Sequence, residues 1–256
     1  MDRGSPQAQG DAMNLDHPRT VVLKLSGEAL LRPGDRVVSP SRLNIFAEQI
    51  ARAVQDSPNL KVALVVGGGN IVRGKDLEGI NHIVADQMGM LATVMNALAV
   101  KDALERCNAE ARVLSALDTR GVAEPVVHGR VLKHLRMGRI VVFAGGLGQP
   151  GVTTDSAAAQ RAWELDATAL LVAKFGTDGI YDTDPRKNSG ARKIDRLTYE
   201  YVLENRLEVM DSQAIDTCRR RGIPLFVFDM QDEDAIYRAL TQVDASFGSW
   251  VVADAI

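Results

Sequence analysis

An apolar β run, Leu60-Lys61-Val62-Ala63-Leu64-Val65-Val66, ends without a spacer in Gly67-Gly68-Gly69. No other stretch limits the fold as much. A strand that runs straight into three glycines must turn sharply at its carboxyl end. Glycine accepts positive φ there and lets backbone N–H groups come close to a ligand. Such groups form a concave nest that favours anions, phosphate above all. Arg73 follows four residues after Gly69, and a guanidinium holds phosphate oxygens bidentately. The alternative is a tight strand-to-helix turn with no ligand, for which one glycine suffices. Gly69 to Lys75 also reads G-x-x-x-x-G-K, most of a P-loop. Asp76 stands where that motif needs a hydroxyl for Mg²⁺, and the pattern begins after the strand has turned. A P-loop NTPase is rejected on both grounds.

The neighbouring stretches extend this unit. Thr20-Val21-Val22-Leu23-Lys24-Leu25 reads as a first strand, ended by Ser26-Gly27-Glu28. An unpaired ammonium is costly away from water. Lys24 makes sense if it emerges at the strand end beside a phosphate; the alternative is a side chain that snorkels to solvent. Residues 41–55 have helical spacing at Leu43, Phe46, Ile50 and Val54, with Ser41 as N-cap. Strand, helix and strand make a βαβ unit, so a parallel sheet is expected. A long helix follows over residues 85–106. Its Met, Leu, Val and Ala content suits deep burial or a subunit interface, and its Met stripe suits packing better than cofactor contact. Asp86 near its start is either a partner of the helix dipole or an acceptor for a ligand hydroxyl.

Further strands are expected at 111–114, 138–144, 168–173, 224–228 and 249–252, and helices at 126–136, 197–207, 210–221 and 232–240. Ala144-Gly145-Gly146-Leu147-Gly148-Gln149-Pro150-Gly151-Val152-Thr153-Thr154-Asp155 is a second glycine-rich strand-to-helix turn, followed by a small-residue helix from Ser156. Its threonine hydroxyls and Asp155 can meet a second anionic group and its Mg²⁺. Two such turns and a strand-end lysine imply two phosphate-bearing ligands over one sheet edge. Open α/β sheets bind ligands outside the carboxyl ends of their strands. Lys174 ends another strand, and residues 175–185 are turn-rich, with Phe175, Tyr181 and the acids Asp178, Asp182 and Asp184.

Composition excludes several classes. Net charge is −3 and aromatics are 5%, so the chain has neither a basic field for DNA or anionic lipid nor stacking platforms for single strands. Arg219-Arg220-Arg221-Gly222 reads as a helix C-terminus and cap. The four histidines lack zinc-ligand spacing. Cys107 and Cys218 lie far apart without a CxxC, which fits a reducing cytoplasm. Apolar runs are broken by charges well before 18 residues, so no membrane span is expected. Residues 1–18 lack the apolar region of a signal peptide and read as a disordered tail before a body at 19–256.

Taken together, six segments resemble the bacterial uridylate kinases of the amino acid kinase family. They are Val22 to Glu28; Gly67-Gly68-Gly69-Asn70 with Arg73; Asp86 with Met88-Gly89-Met90-Leu91-Ala92-Thr93; Thr153-Thr154-Asp155; Asp178-Gly179-Ile180-Tyr181 with Asp184-Pro185; and Val209-Met210-Asp211. The block Gly89 to Asn96 separates this group from acetylglutamate and aspartate kinases. The resemblance implies an α/β fold, a three-layer αβα sandwich around a mainly parallel sheet. It implies transfer of the ATP γ-phosphoryl group to UMP with Mg²⁺, and a homohexamer with GTP and UTP as effectors. Lys24, Leu25, Ser26, Gly27, Gly69 and Arg73 would meet ATP, with Phe175, Tyr181 and Asp184 around its adenosine. Gly68, Asp86 and the run Leu147, Gly148, Gln149, Pro150, Gly151, Val152, Thr153 and Thr154 would meet UMP. Lys24, Arg73, Asp155 and Asp211 would carry catalysis, Asp155 beside the Mg²⁺.

The sequence also departs from the group's pattern. Leu147 replaces a threonine, Gly151 and Val152 an aromatic pair, and Phe175 a polar residue. Arg32 to Val37 lacks the glycine-rich character of the segment linked to GTP activation. Two other readings compete: another phosphotransferase of the same family, and a nucleotide-binding regulator of the same fold without turnover.

Overall fold

The computed structural model describes residues 17–32, 34–73, 77–185, 187–207, 209–242 and 246–253. Most of the expected tail, and Gly74, Lys75 and Asp76 of the P-loop-like pattern, lie outside the described residues. The elements in order are β1 (Arg19–Leu25), a 3-10 turn (Gly27–Leu30), α1 (Pro40–Asp56), β2 (Leu60–Val66), α2 (His82–Arg106), β3 (Ala111–Ser115), β4 (Glu124–Pro125), α3 (His128–Arg136) and β5 (Ile140–Ala144). There follow α4 (Thr154–Glu164), β6 (Ala169–Lys174), β7 (Ile180–Tyr181), β8 (Lys193–Ile194), β9 (Arg196–Thr198), α5 (Tyr199–Glu204), α6 (Ser212–Arg221), β10 (Leu225–Asp229), α7 (Ala235–Thr241) and β11 (Gly248–Val252).

The large sheet has the order β4-β3-β5-β2-β1-β6-β10-β11-β9. β10 and β11 pair antiparallel and β11 and β9 parallel, so only these last two run against the rest. β7 and β8 form a separate antiparallel pair. The chain steps from β1 to one side for β2 to β5, then crosses to the other side for β6. Leu25 pairs with Val66 and with Ala173, which puts the carboxyl ends of β1, β2 and β6 level. β5 runs parallel to β2 with Phe143 opposite Val65, so both glycine turns open on the same edge.

Strand alternation builds the layers. Val21, Leu23 and Leu25 face a core shared with α1, α2 and α7, while Val22 faces a second core shared with α3, α4, α5 and α6. Lys24 falls on the second face, one residue before the strand ends, over α4. This is the three-layer α/β arrangement with a mainly parallel sheet that the sequence suggests.

Three differences have local causes. α2 begins at His82 rather than 85, because Asn81 caps it by accepting from Ile83 N–H at 2.9 Å. The helix expected at 197–207 begins at Tyr199, because Arg196–Thr198 pairs with β11 first. The helix expected at 210–221 begins at Ser212, with Asp211 as its cap. By length and composition α2 could cross a membrane. One face of it packs against α1, β3 and β5, while Ile83, Val84, Leu91 and Met95 stay exposed.

Candidate active site

The site is built outward from Lys24. Its side chain is 12% exposed and its Nζ lies 2.9 Å from Asp155 Oδ1. The cation thus does not snorkel; a carboxylate in the first turn of α4 compensates it. Asp155 is aimed by its helix. Thr153 is the N-cap of α4, its Oγ1 accepting from Ser156 N–H at 3.1 Å. Asp211 braces that cap from α6: its carboxylate accepts from Thr153 Oγ1 and from Ser156 Oγ at 3.1 Å, and from Ala214 N–H at 2.9 Å. Asp211 therefore ties the starts of α4 and α6 together.

The first glycine turn sits beside this pair, for a reason other than the one expected. Gly67, Gly68 and Gly69 are absent from the positive-φ glycines. Close approach requires them instead. A Cβ on Gly68 would lie 2.7 Å from Gly89 O of α2, and one on Gly27 would lie 2.6 Å from Asn70 Oδ1 and 2.7 Å from Gly67 O. The turns after β1 and β2 and the third turn of α2 are thus packed backbone on backbone. Gly67 N–H donates to Leu25 O at 3.0 Å; among the described residues the N–H groups of Gly68 and Gly69 meet no acceptor. Those two can serve an anion. Leu25 offers no side chain to a ligand, because it is fully buried in the core.

The second glycine turn does use positive φ, at Gly145, Gly146, Gly148 and Gly151. Most of its glycine N–H groups are already paired: Gly145 to Thr93 Oγ1 at 2.7 Å, Gly148 to Gly145 O at 2.9 Å, and Gly151 to Asp86 Oδ2 at 2.7 Å. Anion capacity here lies at the start of α4 rather than in the loop glycines. Asp86 does not cap α2; it holds the loop Leu147 to Thr154 through Gly151. Leu147 packs against the second core, and Gln149, Pro150 and Gly151 are exposed. Across the cleft, Arg73 donates from Nε to Gly69 O at 3.3 Å and pairs with Glu28.

Phe175, Tyr181 and Asp184 line one cavity of about 500 Å³ at the end of β6, with Lys174, Asn205 and Leu207. Tyr181 Oη donates to Asp178 Oδ1 at 2.6 Å, and that bond to a carboxylate pushes the phenol up to about 12. Tyr181 is therefore a neutral, oriented ring at physiological pH.

Three supporting residues carried no role in the sequence reading. Asn96 is fully buried; it donates to Gly67 O at 2.7 Å and exchanges hydrogen bonds with Asn70, which fixes the first turn. Thr93 donates to Met90 O while accepting from Gly145 N–H, which fixes the second. Arg161, 7% exposed, lies over Phe143 and pairs with Glu164. Thr93 and Asn96 stand in the Gly89 to Asn96 block, so spacing on α2 toward both turns was the available signal.

The chain is 46% identical over 235 residues to a uridylate kinase of Legionella pneumophila (strain Corby), covering 90% of this chain and 94% of the relative. It is 44% identical over 226 residues to a uridylate kinase of Oenococcus oeni, covering 88% and 93%. The crystal structure of UMP kinase from Bacillus anthracis superposes with a TM-score of 0.86 at 36% identity, covering 93% of this chain and 97% of that one. The profile of the Amino acid kinase family matches residues 19–229, and the chain belongs to that family.

Proposed function

We propose that this chain is a UMP kinase, transferring the γ-phosphoryl group of ATP to UMP to give UDP and ADP for pyrimidine nucleotide synthesis. The observation that carries the reading is the convergence at one sheet edge of Lys24 bound to Asp155, the free N–H groups of Gly68 and Gly69, and the start of α4.

Phosphoryl transfer asks a protein for alignment and charge neutralisation more than for covalent help. The acceptor phosphate is itself the nucleophile and is largely ionised at neutral pH, so no side-chain base is required. Two nucleotide phosphates repel each other. Lys24 and the backbone N–H groups offset that repulsion where charge develops in the transition state. Arg73 supplies a second cation, oriented by Glu28 and Gly69 O. Asp155 holds Lys24 in place, and Asp211 holds the helix start that presents Asp155.

The donor set fits a metal brought in by the triphosphate. Among the described residues no group of three or more His, Cys, Asp or Glu is placed to hold an ion. Mg²⁺ typically takes one or two carboxylates together with substrate phosphates, and Asp155 would supply such a carboxylate. Bound Mg²⁺ would neutralise charge on the transferred phosphoryl group.

The test is ADP release from ATP and Mg²⁺ with UMP, CMP, acetylglutamate and carbamate as separate acceptors. Turnover confined to UMP is expected. Turnover with acetylglutamate or carbamate instead would assign another reaction of the family. UMP binding without turnover would make the chain a nucleotide-binding regulator.

We also infer a homohexamer in the cytoplasm, controlled by GTP and UTP. Cys107 and Cys218 are both free thiols, the state a reducing compartment keeps. Ile83, Val84, Leu91 and Met95 on α2 are each 45–52% exposed, and an apolar stripe of this kind marks a contact surface. Light scattering should give a mass near six times the 27.7 kDa chain. A stable species at the single-chain mass would remove this part of the reading.

A further inference from the structure

Phe175 is 38% exposed at the cavity that also holds Tyr181 and Asp184. Its backbone is pinned on both sides. Gly176, at φ +76, donates from N–H to Asp229 Oδ1 at 3.2 Å, and Met230 N–H donates to Lys174 O at 3.1 Å. The end of β10 thus fixes where the side chain starts, and only its rotamer is left free. Arg42, in the first turn of α1, supplies the missing restraint: its guanidinium carbon lies 5.4 Å from the centroid of the Phe175 ring. Arg42 Nε is buried without a hydrogen-bond partner among the described residues. A buried N–H left unbonded is unfavourable, so electrostatic attraction to the ring face is what the structure offers this cation.

We propose that Arg42 is a positioning residue that holds the Phe175 ring as a stacking platform for the base of the nucleotide donor. The inference rests on reading the cavity as the donor site. One side of the ring is engaged by the guanidinium, and the ring borders the cavity. Base–aromatic stacking stabilises a bound base without reading its edges. Restricting the ring before the donor arrives removes an ordering cost from binding. Arg42 therefore acts on donor affinity and leaves the acceptor and the chemical step alone.

Two measurements test this on the full-length enzyme. Replacing Arg42 by alanine should raise KM for ATP about three- to tenfold, with kcat and KM for UMP unchanged, and Arg42→Lys should recover much of the loss. In Phe175→Trp, ADP should quench the added fluorescence on binding, and adding Arg42→Ala should weaken that titration. Unchanged KM for ATP in Arg42→Ala would overturn the proposal. So would a fall in kcat and a rise in both KM values together, matched by a lower Tm, which would mark a merely structural residue. The two readings fail separately. Quenching by ADP in an enzyme that does not phosphorylate UMP would leave the platform standing and remove the acceptor. UMP-dependent turnover without quenching would remove the platform alone.

Discussion

Lys24→Ala is expected to lower kcat about 10²- to 10³-fold, the range seen when one preorganised donor to developing charge is removed. The effect should fall on kcat more than on KM for either nucleotide, because the cation matters most where charge is transferred. Its scale follows from position. Lys24 lies on the α4 face at the last inward position of β1, 12% exposed, so water cannot easily take its place. The substitution also leaves Asp155 without its cation. The oxygen that faced Lys24, Asp155 Oδ1, is buried and has no hydrogen-bond partner among the described residues, so losing its cation should also lower Tm. Steady-state kinetics with ATP and UMP, alongside a thermal melt, separate the two effects. Turnover within about a factor of two of the parent would show that the Lys24–Asp155 pair is structural and that the mechanism is wrong.

Lys24 also shows how far the sequence could be read. A charged residue in an apolar strand pointed to a strand-end site, and strand alternation put it on a definite face. Its partner could not be read so directly, because Asp155 is brought close by the sheet and not by spacing. The same holds for Asp211. Its place at a helix start was visible, but its bonds to Thr153 and Ser156 cross more than fifty residues. Short elements left no pattern at all. β7 and β8 are two residues each, too short for alternation to register, and β9 was absorbed into a helix until its pairing with Trp250 and Val251 is known. Arg42 belongs to no motif and gains its role only from a ring more than a hundred residues away. The glycines were located correctly but for two different physical reasons. The second turn needs their left-handed backbone, and the first needs their missing side chain.

That distinction makes Gly68→Ala the second large effect. The backbone there has no positive φ, so alanine meets no conformational penalty and the lesion is steric alone. The new Cβ would sit 2.7 Å from Gly89 O and 3.0 Å from Ala92 Cβ. A helix carbonyl cannot swing aside, so α2 or the turn must move. Overpacking of this kind costs about 1–3 kcal/mol, which lowers Tm by roughly 2–12 °C in a chain of this size. Asn96 ties Gly67 O to the same helix, so the displacement reaches the free N–H groups and should lower kcat by about 10²-fold. Gly146→Ala makes the contrast. Nothing lies within 4 Å of its Cβ, but φ is +57, so it should cost only about 1–2 kcal/mol through the backbone. Adding Ala92→Gly to Gly68→Ala removes the farther contact and leaves the nearer, so it should restore little. Full recovery of Tm and kcat in that double variant would shift the constraint from the Gly89 carbonyl to the Ala92 methyl. Loss of activity at unchanged Tm would show instead that Gly68 serves the ligand directly.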